Sequence, residues 1–353
     1  MGCEGDRVVL LGVMIPACRR GLLPAGVRGL HLNTTGVHDT DIITIEYNGF
    51  LIDRDCDRAV VPQAAAFLLG RGEGPAGRGR GAELHLKSVP LSYGAELRDH
   101  DLMYRELARK LSYRIDLAAV RAAGAGYLMT LSANTRQKLR HSIRLYERQG
   151  KLTLRRAADV PEALAFFDAM GVLHQGTWEA RGEPGAFSYP FFVRFHRALI
   201  AECLPAGGVE VVRVCCGDTA IGYIYNFLCR GHVLFYLSGF RYDSDARLKP
   251  GLVTHLMCID SHLSGNAAVY DFMEGEARYK ASLGHQGPSS VYLLVQRHTW
   301  PARLENGLRS VRDLVRRLHG RAQARTRSLN TTPSAIEADT VLAPPAQSRT
   351  PST

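Results

Sequence analysis

Val209-Glu-Val-Val-Arg-Val-Cys-Cys-Gly-Asp-Thr-Ala-Ile-Gly-Tyr-Ile-Tyr-Asn-Phe-Leu-Cys-Arg-Gly-His-Val-Leu-Phe-Tyr-Leu-Ser-Gly-Phe240 reads as three strands in succession. Branched and aromatic residues fill the runs 209–216, 220–229 and 232–240, as a pleated and largely buried surface requires. Gly217-Asp218-Thr219 and Arg230-Gly231 separate the runs and are hairpin signals. Around this meander the pattern turns helical. Residues 151–157 alternate as a strand. Residues 159–179 predict a helix with Pro161 in its first turn and an apolar face of Leu164, Phe167, Met170 and Leu173. A second amphipathic helix is expected over 189–203. Pro250-Gly251 opens another, to about 263. A strand over 268–272, a short helix around Tyr279 and a strand over 290–296 complete the series.

The other segments are less regular. Residues 7–16, 29–33 and 41–53 read as strands, the last with Ile43, Ile45 and Tyr47 on one face. Residues 59–69 and 101–111 read as helices, with a strand over 83–89 between them. Gly70-Arg-Gly-Glu-Gly-Pro-Ala-Gly-Arg-Gly-Arg-Gly81 reads as a solvated loop: no strand leads into it and no Gly-Lys-Ser/Thr closes it as a phosphate loop would. Ser132 is expected to cap a basic helix that stops at Gly150. Arg136, Arg140, Arg144 and Arg148 recur on one face of it. Such a stripe serves as a solvated face or as a surface for phosphates. Beyond 320 the chain is rich in Ser, Thr, Pro, Ala and Arg without periodicity, which predicts a disordered tail.

Composition narrows the classes. The chain has 353 residues, 46% of them hydrophobic and 22% charged, which is enough apolar material for one large or two smaller globular domains. A net charge of +10 favours anionic partners without choosing among them. The eight cysteines include no Cys-x-x-Cys pair, so no zinc site follows from their spacing and free thiols in a reducing cytoplasm are expected. No apolar run reaches the roughly 18 residues of a membrane helix. Val8 to Cys18 lacks the basic leader of a signal peptide, and Asp6 replaces the Ser or Thr that myristoylation of Gly2 requires. A nucleophile elbow, a His-Glu-x-x-His helix and a dinucleotide fingerprint are all missing.

The most chemically loaded stretch is Val269-Tyr-Asp-Phe-Met-Glu-Gly-Glu-Ala-Arg-Tyr-Lys280, a short strand ending in carboxylates one turn before a Tyr and a Lys. Upstream, Arg247 and Lys249 flank the free amides of Gly251, Leu252 and Val253 at a helix start, a place suited to a pyrophosphate. Glu274 is the first candidate base and His174 the second. Tyr279 is a candidate acid for the leaving group, and Lys280 a candidate contact to a phosphate, carboxylate or carbonyl. Each has a plain structural alternative: a core histidine, a core Trp178, or Asp271 and Glu274 as caps of the following turn.

Written out, residues 151–297 run β-α-α-β-β-β-α-β-α-β, the element order of the Gcn5-related N-acetyltransferase (GNAT) fold. Leu173-His-Gln-Gly-Thr-Trp-Glu-Ala-Arg-Gly182, Leu248-Lys-Pro-Gly251 and Tyr270 to Lys280 look like hallmarks of the BioF2-like acetyltransferases, often labelled cellulose-biosynthesis (CelD-type) proteins. Thr44 to Phe50 and Leu131 to Arg136 also match. The layout is similar to that of the Fem aminoacyltransferases, which contain two GNAT-like units.

The resemblance implies a mixed α/β fold: a GNAT-like mixed sheet flanked by helices, after a degenerate and N-terminally shortened first unit. The expected division is 1–115 for that unit, 116–150 for a connecting basic helix and 151–300 for the acyltransferase domain. A C-terminal helix over 301–319 and the tail 320–353 follow. It also implies a cytoplasmic acyltransferase that takes acyl-CoA, without a metal, and passes the acyl group directly to an amine or hydroxyl of a sugar or cell-envelope precursor. Trp178, Arg181 and Asp271 are then candidate substrate contacts, and a Fem-like Lys280 is functional. Two rivals stand beside it: an aminoacyl-tRNA-dependent transferase using the basic helix, and a non-catalytic subunit of polysaccharide synthesis.

Overall fold

The computed structural model describes residues 1–19, 27–56, 59–70, 83–98, 100, 102–298, 302–304 and 306–308. The chain forms two compact units. Within its described residues, the first takes 1–36, 45–109 and the segment from 290, and the second takes 37–44 and 110–289.

In the first unit a five-stranded sheet has the order 14–19, 27–32, 83–90, 290–296, 103–110. Beside it the strands 2–4, 7–11 and 51–52 make a small antiparallel sheet. Helices over 60–68 and 92–98 cover a core that includes Leu32, Val61, Leu84, Leu86, Tyr93, Leu97 and Val295.

The second unit is a seven-stranded sheet between helices. Its strands are β1 (Ser112–Asp116), β2 (Leu152–Arg156), β3 (Val209–Cys216), β4 (Thr219–Cys229), β5 (His232–Phe240), β6 (Val269–Glu274) and β7 (His285–Gln286). Its main helices are α1 (Leu117–Ala123), α2 (Ala133–Glu147), α3 (Val160–Glu179), α4 (Pro190–Cys203), α5 (Pro250–Leu263) and α6 (Arg278–Leu283). The order across the sheet is β7-β1-β6-β5-β4-β3-β2. β5 and β6 are parallel and every other pair is antiparallel. Alternation sorts the side chains. Val212, Val214, Ile224 and Phe235 face one core with Leu139 and Tyr146 of α2 and Leu256 and Ile259 of α5. Val211, Tyr223, Tyr225 and Tyr236 face the other with Phe167 and Met170 of α3 and Phe192 of α4. Burial on both faces is why the strands read as nearly unbroken apolar runs.

Caps fix the helix starts as the sequence suggests. Ser132 Oγ accepts from Thr135 N at 3.2 Å, and Asp159 accepts from Glu162 N at 2.9 Å. Gly150 is not a left-handed stop, however. A side chain there would meet Gly217 N at 2.7 Å, so glycine is needed for two backbones to pass.

Four expectations are corrected. Residues 290–296 do not close the second unit's sheet: they pair antiparallel with 83–90 in the first, and β1 takes the place beside β6. An apolar run gives periodicity but not the identity of its neighbour. Residues 103–110 form a strand, not a helix. Their Arg, Glu, Leu and Ala residues favour helix, but sheet pairing overrides that weak preference, and the charges suit an outermost strand. Residues 41–53 are not one strand: a helical turn, His38–Asp41, precedes irregular backbone in which Thr44 and Tyr47 have φ of 36° and 51°. The segment instead lends Ile42 and Ile43 to the α3/α4 core, where Ile43 O accepts from Tyr236 OH. Residues 116–150 are no connector, because Leu117, Tyr127, Leu131, Leu139 and Tyr146 belong to the core under α5. The Gly-rich loop from 71 and the tail 320–353 lie outside the described residues, as does most of 301–319.

α3 crosses β5 at Gly239, where an added Cβ would stand 2.3 Å from Met170 O. Both partners are backbone and cannot yield without moving an element. Gly239→Ala is expected to destabilise the second unit by about 1–3 kcal/mol through overpacking. Urea unfolding followed by the fluorescence of Trp178, which sits on α3 itself, checks this.

Candidate active site

β5 and β6 stay paired for three residues only, His232 to Leu234 against Val269 to Asp271. β5 then continues to Phe240, while β6 breaks its register with β1 between Asp271 and Glu274. The departure is built in locally. Met273 has φ of 59°, and its N–H donates to Asp271 Oδ1 at 2.6 Å. Gly275 has φ of 120°, open to glycine but strained for other residues.

The carbonyls that β6 thereby turns away from a strand partner are met by a side chain. Lys280, from α6, donates its Nζ to Phe272 O at 2.7 Å and to Glu274 O. The ammonium is buried, so these carbonyls supply solvation that water otherwise gives. Glu274 itself is buried and forms an ion pair with Lys110, Oε2 to Nζ 3.2 Å. Tyr279, next to Lys280 in sequence, is buried and stacks on His255 of α5, with ring centroids 5.3 Å apart. His255 Nε2 is buried without a hydrogen-bond partner. Burial, and then the nearby Lys280 charge, hold this imidazole neutral with a pKa of about 3.

α5 starts at the end of the sheet where β5 and β6 separate. Lys249 N is capped by Ser142 Oγ of α2 at 2.9 Å, and Pro250 has no N–H. Val253 N is already bonded to Lys249 O at 3.0 Å. Of the three amides expected to bind an anion, Val253 is therefore spent, which leaves Gly251 and Leu252. Arg247 is exposed and bidentate on Asp245, an ion pair that lowers the Asp245 pKa to about 2. Lys249 is half-buried.

The other candidates lie apart from this cluster in their bonding. His174 Nδ1 faces Ser238 O at 3.2 Å and its Nε2 receives Ala186 N at 3.4 Å. Both ring nitrogens are thus committed to backbone, and burial lowers the pKa to about 4. This is the bonding of a core histidine that ties α3 to β5, not of a poised base. Trp178 packs on His174 and lies under the Arg181 guanidinium, 5.4 Å from the ring centre. Asp271 is occupied with the Met273 turn. The structure brings together Glu274, Tyr279 and Lys280 and adds Lys110, Ser142 and His255. Sequence offered a signal only for His255, a polar residue on the apolar face of α5.

Residues 133–281 match the family model described as the acetyltransferase (GNAT) domain. No curated protein matches the chain. Among solved structures, FemX is 12% identical and superposes with a TM-score of 0.51, over 86% of this chain and 88% of its own. The C-terminal domain of a putative lysylphosphatidylglycerol synthetase from Agrobacterium fabrum gives 12%, 0.47, 85% and 88%. A tandem GNAT protein from the clavulanic acid biosynthesis pathway gives 10%, 0.40, 83% and 80%. The fold is GNAT-like, with mixed sheets flanked by helices, and residues 133–281 carry an acyltransferase-type domain. Among the described residues no helix is long and apolar enough to cross a membrane.

Three histidines of the second unit are buried in the neutral form: His174 with a pKa of about 4, and His196 and His255 with about 3. Each folded value is below the unfolded value of about 6.5. Their contribution is complete above that pH and is lost as pH falls toward 4 and then 3, because only the unfolded chain takes up the protons. The urea midpoint is expected to drop steadily from pH 7 to 4, with His174→Gln reducing the slope. Denaturation series at half-unit steps measure it.

Proposed function

We propose that the second unit is a CoA-dependent acyltransferase of the BioF2-like kind, working by direct transfer to an amine or hydroxyl of a sugar or envelope precursor. The observation that carries this reading is the separation of β5 and β6 beside the α5 N-terminus, with a buried carboxylate on one side of the gap. The Gly251 and Leu252 amides, with Lys249 and Arg247 near, suit the pyrophosphate of acyl-CoA. The pantetheine arm then runs between the two strands, where backbone groups of β5 beyond Leu234 lack a β6 neighbour.

Glu274 takes the proton of the acceptor as it attacks the thioester carbonyl. The tetrahedral adduct collapses by breaking the C–S bond, and Tyr279 returns a proton to the sulfur. Lys110 orients Glu274 through Oε2. Lys280 acts here as a positioning residue, holding the strand end from which Glu274 projects. Trp178, Arg181 and Asp271 shape the surroundings without contacting the reacting atoms. Cytoplasmic residence follows from the need for CoA, and the chemistry calls for no metal.

Calorimetry with acetyl-CoA and longer acyl-CoAs is the first test, with micromolar binding expected and no binding up to millimolar sinking the proposal. Glu274→Gln keeps the binding and lowers turnover by about 10²–10⁴-fold, the usual range for a lost general base.

A second reading, an aminoacyl-tRNA-dependent transferase, draws on α2. Lys138, Arg140, Arg144 and Arg148 of that helix and its end are exposed, and the helix reaches the start of α5 through Ser142. It expects tRNA affinity that falls steeply with salt, with a shallower slope in the Arg140/Arg144/Arg148 triple Ala variant. Equal affinity in the variant at every salt concentration removes that reading.

A further inference from the structure

A group of metal-ligating side chains lies outside the candidate active site, where α5 packs on β3 and β4. Cys258 and His262 are one turn apart on the same face of α5, and Glu210 faces them from β3. Their ligand atoms all lie within 4.8 Å of one another. His262 Nε2 is 2.6 Å from Glu210 Oε1. Cys258 and Glu210 are buried, and His262 is partly exposed, which gives an ion a route from solvent.

The surroundings match what a bound cation needs around its ligands. Arg156 Nε donates to Glu210 Oε2 at 2.8 Å, orienting the carboxylate by its other oxygen. Asn226 of β4 sits between the ligands, its Nδ2 2.7 Å from Glu210 Oε1 and 3.6 Å from Cys258 Sγ. Its Oδ1 is fully buried with no hydrogen-bond partner. A half-turn of the amide exchanges nitrogen for oxygen at nearly the same place. That turn brings the unpartnered oxygen to the ligand group.

We propose that Glu210, Cys258 and His262 bind one Zn²⁺ or a similar borderline-soft divalent ion, with Asn226 Oδ1 as the fourth ligand. Nitrogen, sulfur and oxygen donors in a four-coordinate set suit Zn²⁺, with metal–ligand bonds of about 2.0–2.3 Å. Closing on the ion requires shifts on the order of 1 Å, within reach of the partly exposed His262 ring. Binding forms the sulfur–metal bond and releases the thiol proton to solvent, so affinity rises with pH. The metal-free thiol is held protonated by burial and by the Glu210 charge, with its pKa pushed up to about 12. The cation reverses that bias. A closed, buried set of this kind is structural: it clamps α5 against β3.

The test uses the full chain, stripped with chelator and titrated with Co²⁺ and then Zn²⁺. One equivalent of Co²⁺ is expected to give visible ligand-field bands and a near-ultraviolet thiolate charge-transfer band, both bleached by Zn²⁺. At a hundredfold excess over Kd, Zn²⁺ raises Tm by about 5–10 °C. Cys258→Ser removes the charge-transfer band and His262→Ala weakens Zn²⁺ binding at least tenfold, while Cys215→Ser changes neither. X-ray absorption on the wild-type zinc form, which needs no variant to fold, reports one sulfur in the first shell. Failure to retain metal after dialysis, a charge-transfer band that survives Cys258→Ser, or a sulfur-free shell overturns the proposal, and the cluster is then a hydrogen-bonded network around Glu210.

Discussion

Parallel strands in a sheet normally hold one another by hydrogen bonds along their whole shared length, and β5 and β6 give this up after Leu234 and Asp271. Every polar group so released must find another partner, because the region is buried. The solutions account for most of the unusual residues nearby. The Asp271 carboxylate takes Met273 N, Leu111 O takes Gly275 N, and the Lys280 ammonium takes two carbonyls at once. A side chain replaces a strand. The acidic, glycine-containing strand end is therefore the means by which the β6 side of the gap keeps its backbone partnered.

The same constraint explains how a buried cation and a buried anion are each provided for at the strand end. Lys280 is solvated by carbonyl dipoles, and Glu274 by the separate Lys110. α6 fixes the backbone, while Lys110, at the end of the strand 103–110, orients the carboxylate.

Much of this was legible in the sequence, for identifiable reasons. The meander over 209–240 was clear because both faces are buried, and strand identity does not depend on a weak alternation. The helix starts at Ser132 and Asp159 are legible because their capping is local, and the one at Pro250 because proline suits the first helical position. Glu274 and Lys280 stood out as charges at the end of an apolar run. What escaped was non-local. Lys110 and Ser142 act across long stretches of chain, and no spacing rule connects them to Glu274 or Lys249. His174 looked chemical because a helix face carried a lone imidazole, whereas two backbone groups consume it. The strand 290–296 is legible as a strand but its sheet is not, since an apolar run carries no address.

That last strand has a consequence for the order in which the protein is made. The first unit's sheet has 290–296 between 83–90 and 103–110, so an interior place, the fourth of five, is filled by residues synthesised after the whole of 110–289. Domains generally fold as units during synthesis, N-terminal first. Here that order is reversed: the second unit has every strand of its sheet once residue 286 is available, while the first must wait with an open gap. On the ribosome the older part of the chain is the last to finish. Its two inner edges, at 83–90 and 103–110, stay exposed throughout that interval, which is where the nascent protein is most open to pairing with something other than itself.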